Sequence, residues 1–444
     1  MAKYFGTNGI RGKFDKLTPQ FALKAAQAIG VYFKRGKILV GRDHRLTSPT
    51  IHNAVLSGLE SVGCEVIDLG LVTTPTAEFM VEKLHPDGLI IITSSHNPPE
   101  WNALKVIDGA GIAVSKERGE KIEELIDGKI ELSPWDKVGK TVDFYTATED
   151  HLEDILLRVD VEKIKKRKLK VVLDCANGVP ALIGPELFER LGCDLILLND
   201  EIDGHFPGRP SEPREENIHN LLQAVQDSDA DFGIAWDGDG DRIVMADESG
   251  NFIVGDRVFA LSALLKLNEK KGPLVTTVAT SKVIEDVAKR FGQEVIYTKV
   301  GAPYLSEEAA KGDAVLIGEE VGGVIWPEAS LAKDGFLTAA KIAEALAEKP
   351  LSAWLSEFPF YYNVKGKVPA EFEEMDAKIK EIPIPESAEK VITVDGVRLN
   401  FPDSWVIFRP SGTEPVIRVF AEATSKAAAH ALVEKYEKML GQSR

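Results

Sequence analysis

LKVVLDCANG (Leu169–Gly178), RLGCDLILLND (Arg190–Asp200) and ADFGIAWDGDGDR (Ala230–Arg242) read as three apolar strands separated by helical segments. The last runs straight into alternating aspartates. The same unit stands upstream as KILVGRD (Lys37–Asp43), SVGCEVIDLG (Ser61–Gly70) and DGLIIITSSHNPP (Asp87–Pro99). It stands downstream as GPLVTTVATS (Gly272–Ser281), RFGQEVIYTKVG (Arg290–Gly301) and GDAVLIGEEVGG (Gly312–Gly323). Gly63, Gly192 and Gly292 mark one shared corner, where a helix ends and a strand begins. The third strand of each unit delivers a different loop: serine and histidine, then three aspartates, then two glutamates. One repeated scaffold with three unlike loops predicts one composite active site.

Short Val-, Ile- and Leu-rich runs alternate with helical patterns, which is the signature of a mainly parallel sheet covered by helices. After each of the first two loops the pattern turns hairpin-like, in NALKVIDGAGIAVS (Asn102–Ser115), with Asp108-Gly109 expected at the turn, and in RIVMADESGNFIVG (Arg242–Gly255), with Ser249-Gly250. Linkers are expected near Ser133–Gly139 and Pro359–Pro369. Beyond them, strands over 392–423 and a closing amphipathic helix (KAAAHALVEKYEKML, Lys426–Leu440) form a different, smaller unit. The fold class expected is α/β: three similar mixed α/β domains (1–145, 146–248, 249–358) and a smaller C-terminal α+β domain (359–444).

The chain has 444 residues, 44% hydrophobic and 28% charged, with a net charge of −17. That length calls for several cores, and the charge disfavours nucleic acid as a partner. The one basic run, Lys163–Lys170, reads as a solvated helix end. Cys64, Cys175 and Cys193 have no metal-type spacing and suit a reducing compartment. No apolar run reaches membrane-spanning length, and MAKYFGTNGIRG lacks the apolar centre of a signal peptide. The expectation is a cytoplasmic protein with no membrane partner; a homo-oligomer remains open.

Asp237, Asp239 and Asp241 alternate with Gly238 and Gly240 and precede Arg242. Three carboxylates this close repel unless a cation sits among them, and the glycines let alternate side chains converge. A calcium loop of the EF-hand type would place Glu248 at its twelfth position. It would also need glycine where Arg242 stands, and helices where the flanks read as strands. Mg²⁺ at a strand end, shared with a phosphate, fits better.

Thr93-Ser94-Ser95-His96-Asn97 follows the strand LIIIT at its carboxyl end, where ligands gather in open α/β sheets. No Gly-x-Ser-x-Gly elbow surrounds the serines, so an acyl hydrolase is disfavoured. Either Ser94 or Ser95 suits a phosphate carrier. His96 suits a base, a phosphate donor or a loop-fixing group. Glu319 and Glu320 suit either sugar hydroxyls or plain solvent. Arg409-Pro410-Ser411-Gly412-Thr413, with Arg418 beyond, reads as an anion cradle. No Walker-type loop supports a nucleoside triphosphate.

Taken in order, TSSHNP, DGDGDR, GEEVGG and RPSGTEP resemble the α-D-phosphohexomutase superfamily, which includes phosphomannomutase, phosphoglucomutase and phosphoglucosamine mutase. The resemblance spans the chain from Gly6-Thr7-Asn8-Gly9-Ile10-Arg11-Gly12 onward. It implies four domains around a central cleft, with phosphate carried on Ser95. Mg²⁺ would be held by Ser95, Asp237, Asp239 and Asp241. Arg11, His96, Lys105 and Arg242 would surround the transferring phosphate. Glu319 and the Gly301 loop would meet the sugar, while Arg409, Ser411, Gly412, Thr413 and Arg418 would hold the other phosphate. The implied reaction interconverts hexose 1- and 6-phosphates of mannose or glucose through a bound 1,6-bisphosphate, with glucosamine phosphate as the alternative sugar. A non-catalytic sugar-phosphate sensor and a metal-dependent phosphatase are the rivals. Ser94 departs from the family's alanine, Val321 from a serine, and Gly323 and Ala302 from histidines. The last three touch the sugar contacts rather than the phosphoryl chemistry, and they resemble archaeal-type members.

Overall fold

The computed structural model describes residues 3–6, 9–411 and 414–442. In each repeat the first strand lies between the other two, all parallel, and a fourth antiparallel strand follows the third. In the first sheet Lys37–Arg42 lies between Glu65–Leu71 and Gly88–Ile92, and Trp101–Asp108 returns antiparallel. In the second, Lys170–Asp174 lies between Asp194–Leu198 and Phe232–Trp236, with Ile243–Ala246 returning. In the third, Leu274–Thr277 lies between Val295–Thr298 and Leu316–Gly318, with Val324–Ile325 returning. Gly88–Ile92 and Phe232–Trp236 are buried at every position, as strands covered on both faces must be. All three third strands therefore end at one kind of sheet edge.

The corner glycines behave alike. Gly63, Gly192 and Gly292 have φ of +90°, +76° and +65°. The N–H groups of the next residues, Cys64, Cys193 and Gln293, reach back to Leu59, Phe188 and Ala288, which closes each helix with a left-handed cap. The hairpin turns also match one another. Asp108 and Asp247 each accept the backbone N–H groups on either side of Gly111 (φ +80°) and Gly250 (φ +72°). The expected pair Asp108-Gly109 opens this turn, which closes as the Gly111 N–H donates to the Asp108 carbonyl at 2.9 Å, and Gly111 supplies the positive φ.

Two expected linkers are structured. Residues 133–139 pack on the Glu60–Cys64 corner and lead into Lys140–Asp143, a seventh strand of the first sheet. Tyr362–Pro369 is an edge strand of the last sheet, paired antiparallel with Val416–Ala423. Its mostly exposed side chains made it read as loop. The last sheet is antiparallel throughout and is covered by the helix Lys426–Gln442. It docks on the third domain through a core of Val278, Ile392, Trp405 and Ile407. The second and third domains share one core, in which Trp236 stacks on Phe336 at 5.3 Å. Among the described residues no helix is long and apolar enough to cross a membrane.

Candidate active site

The three payload loops meet. Ser95 is buried, with φ +50°, a left-handed conformation that costs a non-glycine residue free energy. Arg45, fully buried, holds it there. Its guanidinium donates to the carbonyls of Ser95 (2.8 Å), Asn97 (2.7 Å) and Pro98 (2.6 Å), and its Nε donates to Asp43 (3.0 Å). The second domain repeats the device. Arg209 donates to Asp174 (2.7 Å) and to the carbonyl of Trp236 (2.7 Å), just before the aspartates. In the third domain Thr276 takes this part, donating to the carbonyl of Gly318 at 2.8 Å. None of these residues was singled out from sequence. The signal available was an aspartate closing the first strand of two repeats, Asp43 and Asp174.

The Ser95 hydroxyl donates to Asp237 Oδ2 at 2.6 Å. Ser94 instead accepts from the Asn97 side-chain amide at 2.9 Å, so the geometry separates the two serines. Ligand atoms of Asp237, Asp239 and Asp241 lie within 4.8 Å of one another, all buried. Asp239 Oδ1 and Asp241 Oδ1 have no hydrogen-bond partner. Buried orphan carboxylate oxygens converging on one point fit a hard divalent cation such as Mg²⁺. Burial, with Asp241 and Asp239 adding, raises the Asp237 carboxyl well above the usual carboxylate range. Burial would raise Asp241 too, but Lys333, Lys105 and Arg242 outweigh it and hold it below that range. Glu248, the EF-hand candidate, bonds Ser352 instead.

Lys105 is buried and donates to Asp239 Oδ2 at 2.7 Å. Burial alone would lower its pKa, but Asp239 and Asp241 reverse that and keep it charged. Thr74 also reaches Asp239, by hydroxyl (2.6 Å) and by backbone N–H (3.0 Å). Arg242 Nη1 lies 2.9 Å from His96 Nδ1, and because arginine only donates, Nδ1 accepts and the ring proton sits on Nε2. Burial, Arg242 and Arg11 push His96 down to about 2, so it is neutral. Arg11 lies on the strand Gly9–Lys13 beside Ala103. Burial and Arg242 lower its pKa. Arg242 Nε also lies 3.6 Å from Asp241 Oδ1 and 3.7 Å from Glu319 Oε1, and two mutually repelling guanidiniums at one site suit a phosphate.

Lys333 is the main residue that sequence reasoning missed. Buried, it donates to Glu319 Oε1 (2.8 Å) and lies 3.0 Å from Asp241 Oδ2, tying the glutamate loop to the aspartate loop. Its stem explains Gly323: a Cβ there would stand 2.4 Å from Lys333 Cδ. Gly322 (φ +88°) lets the loop pass over Ile243, where a Cβ would meet the carbonyl at 1.9 Å. Glu319 is buried and engaged by Lys333, whereas Glu320 accepts from Thr277 at 3.0 Å. Glu320 also lines a cavity of about 570 Å³ with Arg242, Asp256, Val321 and Lys365, spanning the second, third and fourth domains.

Arg409 and Arg418 face each other directly across antiparallel strands, and Arg418 reaches Ser411 Oγ at 3.4 Å. Like charges so placed are costly without an anion. Arg409 pairs with Asp395 at 2.6 Å, and its Nε is buried without a partner. Gly301, at φ +140°, opens the helix Ala302–Ala309. Gly412 and Thr413 lie outside the described residues.

Comparison with known proteins agrees with this geometry along the whole chain. Residues 2–132, 149–250 and 254–361 match the families described as phosphoglucomutase/phosphomannomutase, alpha/beta/alpha domains I, II and III, and residues 363–439 match the corresponding C-terminal domain. The chain belongs to the phosphoglucomutase/phosphomannomutase family. A phosphoglucomutase/phosphomannomutase of Thermococcus kodakarensis is 42% identical, covering 99% of each chain. A probable phosphoglucosamine mutase of Methanopyrus kandleri is also 42% identical, covering 98% of this chain and 97% of its own. The crystal structure of a phosphoglucomutase/phosphomannomutase family protein from Burkholderia thailandensis superposes with a TM-score of 0.88 at 28% identity, over 99% of this chain and 98% of that one. Three α/β domains and a C-terminal domain, expected from the repeats, are thus the family's own architecture.

Proposed function

We propose that this family member interconverts hexose 1- and 6-phosphates of mannose or glucose, with Ser95 as the phosphoryl carrier. The observation that carries the reading is the Ser95 hydroxyl bonded at 2.6 Å to one of three converging buried aspartates. Asp237, Asp239 and Asp241 would hold Mg²⁺, which supplies neutralisation of charge on the transferring group.

In the first half-reaction the bond between phosphorus and Ser95 Oγ breaks. A new bond forms to the sugar hydroxyl oxygen, and the hydroxyl proton ends on Ser95 Oγ. The product is a bound 1,6-bisphosphate, which turns over and returns its other phosphate to Ser95. Phosphoryl transfer through a loose transition state asks for positioning and positive charge more than for a strong base. Arg11, Arg242 and Lys105 supply the charge, and neutral His96 orients Arg242. Lys333 orients Glu319 towards sugar hydroxyls, near the Gly301 loop. Arg409, Arg418, Ser411 and the following Gly412-Thr413 would retain the non-reacting phosphate. Retention of the bisphosphate, rather than its loss to water, distinguishes a mutase from a phosphatase.

Glucosamine phosphate is the second reading, favoured by the similarity to the Methanopyrus kandleri protein. Domain boundaries after residues 145, 248 and 358, a cytoplasmic location and no nucleic-acid partner complete the proposal. Initial rates on mannose, glucose and glucosamine 1-phosphates, with Mg²⁺ and trace bisphosphate, test it. Turnover of none of the three would overturn it.

A further inference from the structure

Asp395 stands in no sequence motif considered above, yet one of its oxygens joins the third domain to the fourth. Asp395 Oδ2 lies 2.6 Å from Arg409 Nη2 and accepts the backbone N–H of Val300 at 3.0 Å. Arg409 belongs to the fourth domain, and Val300 precedes Gly301 in the third. The Asp395 carboxylate is seated by Gly396, whose φ of +78° turns the chain against the strand Ser404–Pro410. A Cβ at 396 would meet the carbonyl oxygen of Phe408 at 2.0 Å and the Arg409 Cα at 3.1 Å. The carboxylate is therefore delivered to Arg409 by a backbone that only glycine adopts freely.

We propose that Asp395 is a positioning residue for phosphate binding, acting through Arg409; this rests on the reading of the C-terminal loop as the phosphate cradle. An arginine directly opposite Arg418 is pushed away by like charge, and its long stem has many rotamers. Asp395 opposes both effects. It pairs one edge of the guanidinium, while the buried Nε stays without a partner and is left for a ligand. The same oxygen pins the backbone entering the Gly301 loop, so the cradle and the loop before Ala302–Ala309 are set relative to each other by a single group. Asp395 does not touch the reacting atoms. Its effect appears in affinity rather than in the chemical step.

The test is a double-mutant cycle read by calorimetry on the full chain, with glucose 6-phosphate as the probe. Asp395→Asn and Arg409→Ala should each weaken binding by roughly tenfold, as expected for disturbing a charge-assisted hydrogen bond to phosphate. The double variant should be no weaker than Arg409→Ala alone, because the asparagine oxygen can still accept the Val300 N–H and only the charge on Arg409 is lost. Thermal midpoints close to wild type would show that the loss is not unfolding. In steady state Asp395→Asn should raise KM for the 1- and 6-phosphates alike, with kcat nearly unchanged. Additive losses in the cycle, unchanged affinity, or tighter binding once the competing carboxylate is neutralised would each overturn the proposal. Failure of the mutase reading shows separately, as a wild-type chain that binds the probe but turns over no hexose phosphate.

Discussion

The Ser95 hydroxyl donates to Asp237 Oδ2 at 2.6 Å, so the serine loop of the first domain and the aspartate loop of the second are joined by one hydrogen bond. That bond belongs to the unphosphorylated serine. A phosphate on Ser95 replaces the donor by anionic oxygens facing three carboxylates, an arrangement stable only with a cation between them. The state of Ser95 and the loading of the aspartates are therefore coupled.

Metal binding should depend on each aspartate. Added Mg²⁺ should raise the thermal midpoint of the wild type, since it binds the folded state. Asp239→Asn should lose that rise and lower kcat roughly 100-fold or more, in the range set by losing a transition-state charge partner. An unchanged Mg²⁺-dependent midpoint shift in Asp239→Asn would place the ion elsewhere.

Lys333 should be more than a strut. Lys333→Met leaves Glu319 and Asp241 with only their longer contacts to Arg242 and Lys105 and should cost about 3 kcal/mol of stability. Adding Glu319→Gln should restore part of it. Gly323→Ala should lose some stability and activity together, because its Cβ would stand 2.4 Å from Lys333 Cδ and displace the lysine from its 2.8 Å bond. Denaturant melts and rates on the three variants check this. Equal activity in Gly323→Ala and wild type would show that Lys333 needs no defined position.

His96 predicts an acid sensitivity. Its folded pKa is lowered to about 2, below the unfolded value near 6.5. A depressed folded pKa gives stability that is present above about pH 6.5 and is lost as pH falls towards about 2, because the unfolded chain gains the proton first. In protein stripped of Mg²⁺ and phosphate, His96→Gln should flatten the stability profile between pH 6 and 4 by about 1 kcal/mol per pH unit. Parallel profiles for variant and wild type would show that His96 protonates freely in the fold.

The repeats were legible because buried parallel strands write themselves as apolar runs, and Gly63, Gly192 and Gly292 fix each corner by a conformation that few other residues adopt. Ser95 and the aspartates were legible because alternating carboxylates are costly without a cation. Lys333 was not, since a lone lysine after a turn looks like surface until the fold buries it beside Glu319. Arg45 and Arg209 were hidden for a related reason. They bond to backbone carbonyls, and carbonyls leave no trace in residue identity. Tyr362–Pro369 looked like a linker because an edge strand with exposed side chains carries no apolar alternation.

The most direct measurement is peptide mass spectrometry after incubating the protein with glucose 1,6-bisphosphate and Mg²⁺. The account predicts one phosphoryl group, on Ser95; when isotope-labelled it is replaced by unlabelled phosphate from excess hexose monophosphate while Ser95 stays phosphorylated, and it is absent from Ser95→Ala along with turnover. Phosphate on Ser94 alone, or full turnover by Ser95→Ala, would contradict it.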